Sequence, residues 1–204
     1  MPGGFTCQDV RSKVAEDGAT LLYTDETGSS LKGVLGTTWA PVGMTPTLSL
    51  PTAHWDRVSV IGGVTRDGRV LTNTVNGSVN SAGVVAFLKY VLSSVVGEVI
   101  VVLDNARIHR SKLVKDFVAS EERLEIVHTP PDAPETNPVE WLWAWVKRPK
   151  PVRCCCRAKK RMELAGLCAR SVADLRAAWR RGLARVRARL GLVAGFFKGS
   201  ALRA

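Results

Sequence analysis

Three acidic side chains, Asp25, Asp104 and Glu140, stand where they could act together. Asp25 follows a short apolar run, Leu21 to Thr24. Asp104 follows five aliphatic residues, Val99 to Leu103, in the stretch EVIVVLDNARIHRSK. Glu140 lies in NPVEWLWAWVKR, three residues after Asn137. A carboxylate at the end of a strand apolar enough to be buried on both faces is costly unless its charge is offset. Asp104 therefore either caps the next turn or faces a cation. Converging carboxylates are hard oxygen ligands, which suit Mg2+ or Mn2+ rather than zinc. Two such ions about 3.5–4 Å apart clamp an in-line phosphoryl displacement. Each acid also has a plainer reading. Asp25 can begin a turn in DETG, Asp104 can bond backbone amides, and Asn137-x-x-Glu140 is a variant capping box.

The elements that must position these acids read as an α/β order. A strand ends at Asp25, and SSLKGVLGTTWAPVG reads as a second strand and a turn. RVSVIGGVTRDGRVLTNTV is a hairpin turning at Asp67-Gly68. NSAGVVAFLKYVLSSV is a helix capped by Asn80 or Ser81, with Val84, Phe87, Leu88, Val91, Leu92 and Val95 on one face. After the buried strand, Ser111 caps a short helix to about Ala119, and RLEIVHTP gives another strand. A Pro-rich bridge, TPPDAPETNP, leads to a helix with Asn137 as N-cap, Pro138 at its first position and Glu140 in its first turn. Strands ending at Asp25 and Asp104 can lie side by side, with both acids at the carboxyl end of one sheet. From Ser171, the residues Val172, Leu175, Trp179, Leu183, Val186 and Leu190 recur at helical spacing. They predict one long amphipathic helix, apolar towards the body and cationic outside.

Charge is unevenly placed. Residues 1–140 hold 12 Lys+Arg and 16 Asp+Glu, a balance of −4, whereas residues 141–204 hold 17 and 2, a balance of +15. Such asymmetry points to a polyanion, most simply nucleic acid, or else to a solvated basic face. The 204 residues include five cysteines, Cys7, Cys154, Cys155, Cys156 and Cys168. An odd count with an adjacent triplet and no CxxC pair suits reduced thiols better than a disulfide framework or a zinc site. The N-terminus lacks a signal-peptide pattern, and the apolar region from Val84 to Leu103 is interrupted by Lys89, Ser93, Ser94, Gly97 and Glu98. A soluble cytoplasmic protein is expected.

Four segments, LLYTDETGSSL, WDRVSVIGGVTRDGRV, VVLDNARIHRSKLVKDF and HTPPDAPETNPVEWLWAWVKR, resemble the DDE transposases of bacterial insertion sequences in the mariner-type superfamily. The resemblance spans residues 20–148 and more loosely 163–200. It implies an RNase H-like core: a mixed sheet flanked by helices, followed by a basic helical extension. It also implies that Asp25, Asp104 and Glu140 are the catalytic acids and hold two Mg2+ or Mn2+ ions. Double-stranded DNA is the implied partner, with strand cleavage by water, joining by a freed 3′ hydroxyl, and a homodimer on DNA. Asn105, His109 and Asn137 would support the site. Arg107, Arg110, Lys112, Lys147, Arg148, Arg180 and Arg181 are candidate DNA contacts, while Trp141, Trp143 and Trp145 read mainly as packing around the acidic helix.

The expected organisation is a lead-in over 1–19, a catalytic domain over 20–148, a basic Cys-containing loop over 149–162 and a basic helical tail over 163–204. Family members carry helix-turn-helix modules ahead of the core, and none is expected in the stretch before Asp25. The alternatives are an RNase H-like nuclease and a DNA-binding remnant that cuts nothing. Clustered acids without metal should raise at least one carboxyl pKa, so Asp104→Asn is expected to stabilise the apo protein unless Asp104 serves as a cap.

Overall fold

The computed structural model describes residues 18–31, 41–44, 56–129, 137–147, 169 and 171–199. Arg148, the five cysteines, the 149–162 segment and most of the second strand expected after Ser30 lie outside the described residues. Five strands form one sheet: β1 (Thr20–Ser30), β2 (Arg57–Thr65), β3 (Val70–Asn76), β4 (Val99–Leu103) and β5 (Leu124–His128). Their order is β3-β2-β1-β4-β5, with β1 antiparallel to β2 and parallel to β4. Helices α1 (Ser81–Ser94) and α2 (Lys112–Ala119) contribute to the core on one face of the sheet. Helices α3 (Pro138–Lys147), α4 (Val172–Arg187) and α5 (Leu190–Gly199) build the core on the other. This is a mixed sheet flanked by helices, the RNase H-like arrangement.

Local chemistry sets several element boundaries. The Asn80 side chain accepts from Gly83 N at the start of α1, and Ser111 does the same for Val114 N at α2. Gly68 turns the β2–β3 hairpin at φ +94°, a left-handed conformation that glycine adopts without steric cost. All five β4 residues are buried, as a strand covered on both faces requires.

Two elements differ from the sequence expectation. β1 does not end at Asp25 but continues to Ser30, because β2 pairs with it as far as Ser30 opposite Arg57. The polar string DETGSS reads locally as a turn, yet a full antiparallel ladder holds it extended. The long C-terminal helix is two helices: α4 caps at Ala188, and Leu190 starts α5. Leu175, Trp179, Leu183 and Val186 nonetheless face the core as their spacing indicates. No helix among the described residues is long and apolar enough to cross a membrane.

Candidate active site

Asp25 sits within β1, opposite Gly62 of β2, on the sheet face covered by α3. Its niche is built by two residues that keep α3 close. Asn137 donates from its side-chain amide to Thr24 O at 3.1 Å and accepts from Val139 N at 3.1 Å, tying the start of α3 to β1. Gly62 leaves room for an indole: a Cβ there would lie 3.0 Å from Trp143 Cη2. Trp143 thereby reaches Asp25 and donates Nε1–H to Oδ2 at 2.9 Å. Burial, then the charge of Glu140, pushes the Asp25 carboxyl up from 3.8 to about 7, against the opposing pull of the hydrogen bonds it accepts. Lys147, at the other end of α3, feels both acids: burial lowers its pKa, and the charges of Glu140 and Asp25 resist that.

Asp104 follows β4 immediately. The parallel pairing of Tyr23 with Val102, continued by two residues, brings Asp104 level with Asp25 on neighbouring strands. The capping reading of its charge holds. Oδ1 caps the next turn by accepting from Ala106 N at 2.9 Å, and it lies 2.7 Å from Nδ1 of the buried His109. The other ring nitrogen of His109 lies 2.8 Å from Glu26 Oε1. Burial of the ring opposes protonation, but the hydrogen bond and charge of Glu26, with the charge of Asp104, outweigh it and raise the His109 pKa above 6.5. Two contacts brace the strand end: His128 Nδ1 lies 3.0 Å from Asp104 O, and Thr129 N donates to Leu103 O at 2.8 Å.

Glu140 is exposed, and its carboxylate makes no hydrogen bond among the described residues, so the expected reach back to the Asn137 amide is not taken up. Asn105 donates to Thr129 O at 2.9 Å, fastening the turn to β5 rather than orienting a carboxylate. Arg107, Arg110 and Lys112 are exposed around the turn and first helical residues after Asp104. Arg180 and Arg181 are exposed on α4, with no described contact to the acids. Of the three tryptophans on α3, Trp143 is buried, Trp145 lies under Arg189 with the guanidinium carbon 5.8 Å from the ring centroid, and Trp141 is 45% exposed.

The structure thus couples Asp25 to Glu140 and places Asp104 at the adjacent strand end with His109. Among the described residues, no three His, Cys, Asp or Glu side chains already converge as a metal cluster. Two contributors are not apparent from local motifs. Trp143 looks like packing in a Trp-rich helix, and only its register against Gly62 shows that it holds Asp25. Glu26 is masked by its neighbour, although strand alternation necessarily sends it to the opposite face.

Residues 20–150 match the model of a protein family, the DDE superfamily endonucleases. No curated protein matches the chain. Among solved structures, the catalytic domain of Mos1 mariner transposase gives a TM-score of 0.52 at 13% identity, over 100% of both chains. The Mos1 strand transfer complex gives 0.58 at 15% identity, over 97% of this chain and 60% of the other. The Mos1 mariner paired end complex with Mn gives 0.55 at 15% identity, over 91% and 58%. The chain therefore spans about three fifths of the transposase chains in those complexes. Such likeness establishes a shared fold. The family match covers more than half of the sequence and includes Asp25, Asp104 and Glu140, so the chain belongs to the DDE superfamily endonuclease family.

Proposed function

We propose that this chain is the catalytic domain of a mariner-type DDE transposase. It cleaves DNA strands and joins freed 3′ ends to target DNA, with Asp25, Asp104 and Glu140 as the acids that hold two Mg2+ or Mn2+ ions. The observation that carries this reading is the Asp25 carboxyl, raised to about 7 by burial and by Glu140, one strand away from Asp104. A buried acid beside a like charge is a site that a cation would relieve. The donors are all carboxylate oxygens, the set that hard divalent ions take. Asp104 Oδ2 and the Glu140 carboxylate make no hydrogen bond among the described residues, and both side chains are exposed enough to turn towards Asp25. The Mos1 structures include complexes with Mn and with Mg.

When bound, the ions supply Lewis-acid activation of the attacking oxygen and neutralise charge on the leaving oxygen. The protein's own part is positioning. Trp143 fixes one oxygen of Asp25, Ala106 and His109 fix one oxygen of Asp104, and Asn137 anchors the helix that carries Glu140. Arg107, Arg110 and Lys112, exposed after Asp104, are the proposed phosphate contacts beside it, and Arg180 and Arg181, exposed on α4, are further proposed ones. Lys147, at the end of α3, and Arg148 are proposed as further phosphate contacts. A homodimer on DNA is part of the proposal.

The test is nicking of supercoiled plasmid with Mg2+ or Mn2+, with Asp25→Asn and Asp104→Asn beside the wild type. Metal-dependent nicking that vanishes in both variants is expected. Folded wild-type protein that binds plasmid without nicking it would instead leave a DNA-binding remnant of the fold.

A further inference from the structure

Glu26 has no place among the three acids, yet it is the residue that His109 faces. The His109 side chain is fully buried, and both ring nitrogens meet carboxylates: Nε2 lies 2.8 Å from Glu26 Oε1 and Nδ1 lies 2.7 Å from Asp104 Oδ1. An ionised carboxylate can only accept, so a ring satisfied on both sides donates from both nitrogens. Charge-assisted bonds of this kind are about twice as strong as neutral ones, and they fix the ring's orientation. Glu26 is 18% exposed, so solvent screens the contact little.

The backbone explains why Glu26 is available. Successive residues of β1 point to opposite faces, so Asp25 turns to Trp143 while Glu26 turns to His109. One strand thus contributes to both outer acids of the sheet: directly through Asp25, and through the imidazole to Asp104. The turn that carries His109 is held independently, by His109 N donating to Ala106 O at 3.1 Å and Ser81 Oγ donating to Ile108 O at 3.1 Å. The Glu26–His109 contact is therefore not needed merely to close that turn.

We propose that Glu26 is a positioning residue for Asp104, acting through His109 to hold Oδ1 and leave Oδ2 turned out for the metal. This rests on the reading of Asp104 as an acid of the site. Partners that orient a metal-binding side chain typically change metal affinity or activity about 10–100-fold when removed.

The experiment is Mn2+ titration by calorimetry on the folded, DNA-free chain, for the wild type, Asp104→Asn, Glu26→Gln, His109→Gln and the Glu26→Gln/His109→Gln double variant. Nicking kinetics are run alongside. Asp104→Asn should lose Mn2+ affinity. Glu26→Gln should weaken it about tenfold and lower kcat with KM for plasmid little changed. The double variant should be no worse than His109→Gln alone, because both act through one contact. Wild-type Mn2+ affinity in Glu26→Gln with only a lower Tm would overturn the proposal and leave a latch between β1 and the turn. Fully additive effects in the double variant would also overturn it. Unchanged affinity in Asp104→Asn would defeat the reading of Asp104 itself, a separate result. If His109→Gln fails to fold, the near-isosteric Glu26→Gln still decides through its Mn2+ affinity and kcat.

Discussion

At the scale of single residues, Asp25 carries a free-energy cost in the metal-free protein. Its folded pKa of about 7 lies above the ordinary value of 3.8. The folded state therefore keeps a proton that the unfolded chain loses between those values, and stability falls as pH rises from about 4 to about 7. The full cost is present above pH 7, with an upper bound of roughly 4 kcal/mol before solvent screening is discounted. Asp25→Asn, which keeps an acceptor for Trp143, should stabilise the apo protein by about 1–3 kcal/mol at pH 8 and by nothing below pH 4. Urea melts at both pH values check this, and a destabilised variant at pH 8 would contradict it. The gain expected from sequence at Asp104 belongs instead at Asp25, because the Asp104 carboxylate has a cap and an imidazole to interact with. Trp143→Phe removes a hydrogen bond that favours ionised Asp25. It should cost about 1–3 kcal/mol and move the pH midpoint of the Asp25 effect upward. An unmoved midpoint would mean that the indole N–H does not act on the acid.

At the scale of elements, α3 is the part whose placement the site depends on, and α4 sets it from behind. Gly182 of α4 meets Val146 of α3 so closely that a Cβ would fall 2.8 Å from Val146 Cγ1. Gly182→Ala gains up to about 1 kcal/mol in helix propensity but should lose about 1–3 kcal/mol to overpacking. It should also slow nicking by displacing Trp143 and Glu140. Adding Val146→Ala should restore much of the loss, and failure to do so would place the strain elsewhere. Strong local signals made α1, α2, β4 and the hairpin legible in the sequence: caps at Asn80 and Ser111, five aliphatics in a row, and a Gly at the turn. The reach of β1 to Ser30 was not legible, since it depends on a partner strand distant in sequence. Nor was the break at Ala188, where helical spacing continues through the interruption.

At the scale of the molecule, the same limits apply to the site. The family motif made Asp25, Asp104 and Glu140 the candidate acids, but no periodicity could show Trp143 turned onto Asp25 or His109 sealed between Glu26 and Asp104. The cationic C-terminal helices are also not simply an outer arm. Arg187 donates to Val70 O and Thr72 Oγ1, and Arg176 to Asn76 Oδ1, so part of the charge binds the β3 edge. Leu175, Trp179, Leu183, Val186, Val193 and Phe196 belong to the core around α3. Cutting the chain after Arg170 should therefore produce a dye-binding, partly unfolded species rather than a folded protein with weaker DNA affinity. The clean test of the proposed DNA contacts is Arg180→Ala with Arg181→Ala. Each lost phosphate contact should lower the log–log salt slope by about 0.9, and an unchanged slope would remove these residues from the interface.

The burial of α4 against α3 also dictates an order of events during synthesis. The strands, the acids and α3 are made first, but α3 lacks its full backing of α4 and α5 until the ribosome has passed Gly199, 52 residues beyond Lys147. At about 5–20 residues per second, that is an interval of roughly 3–10 s. During it, Trp143 and the apolar side of β2 lack part or all of the α4 and α5 core they pack against. A nascent chain that pauses in this window exposes the apolar faces of α3 and β2 to chaperones and proteases.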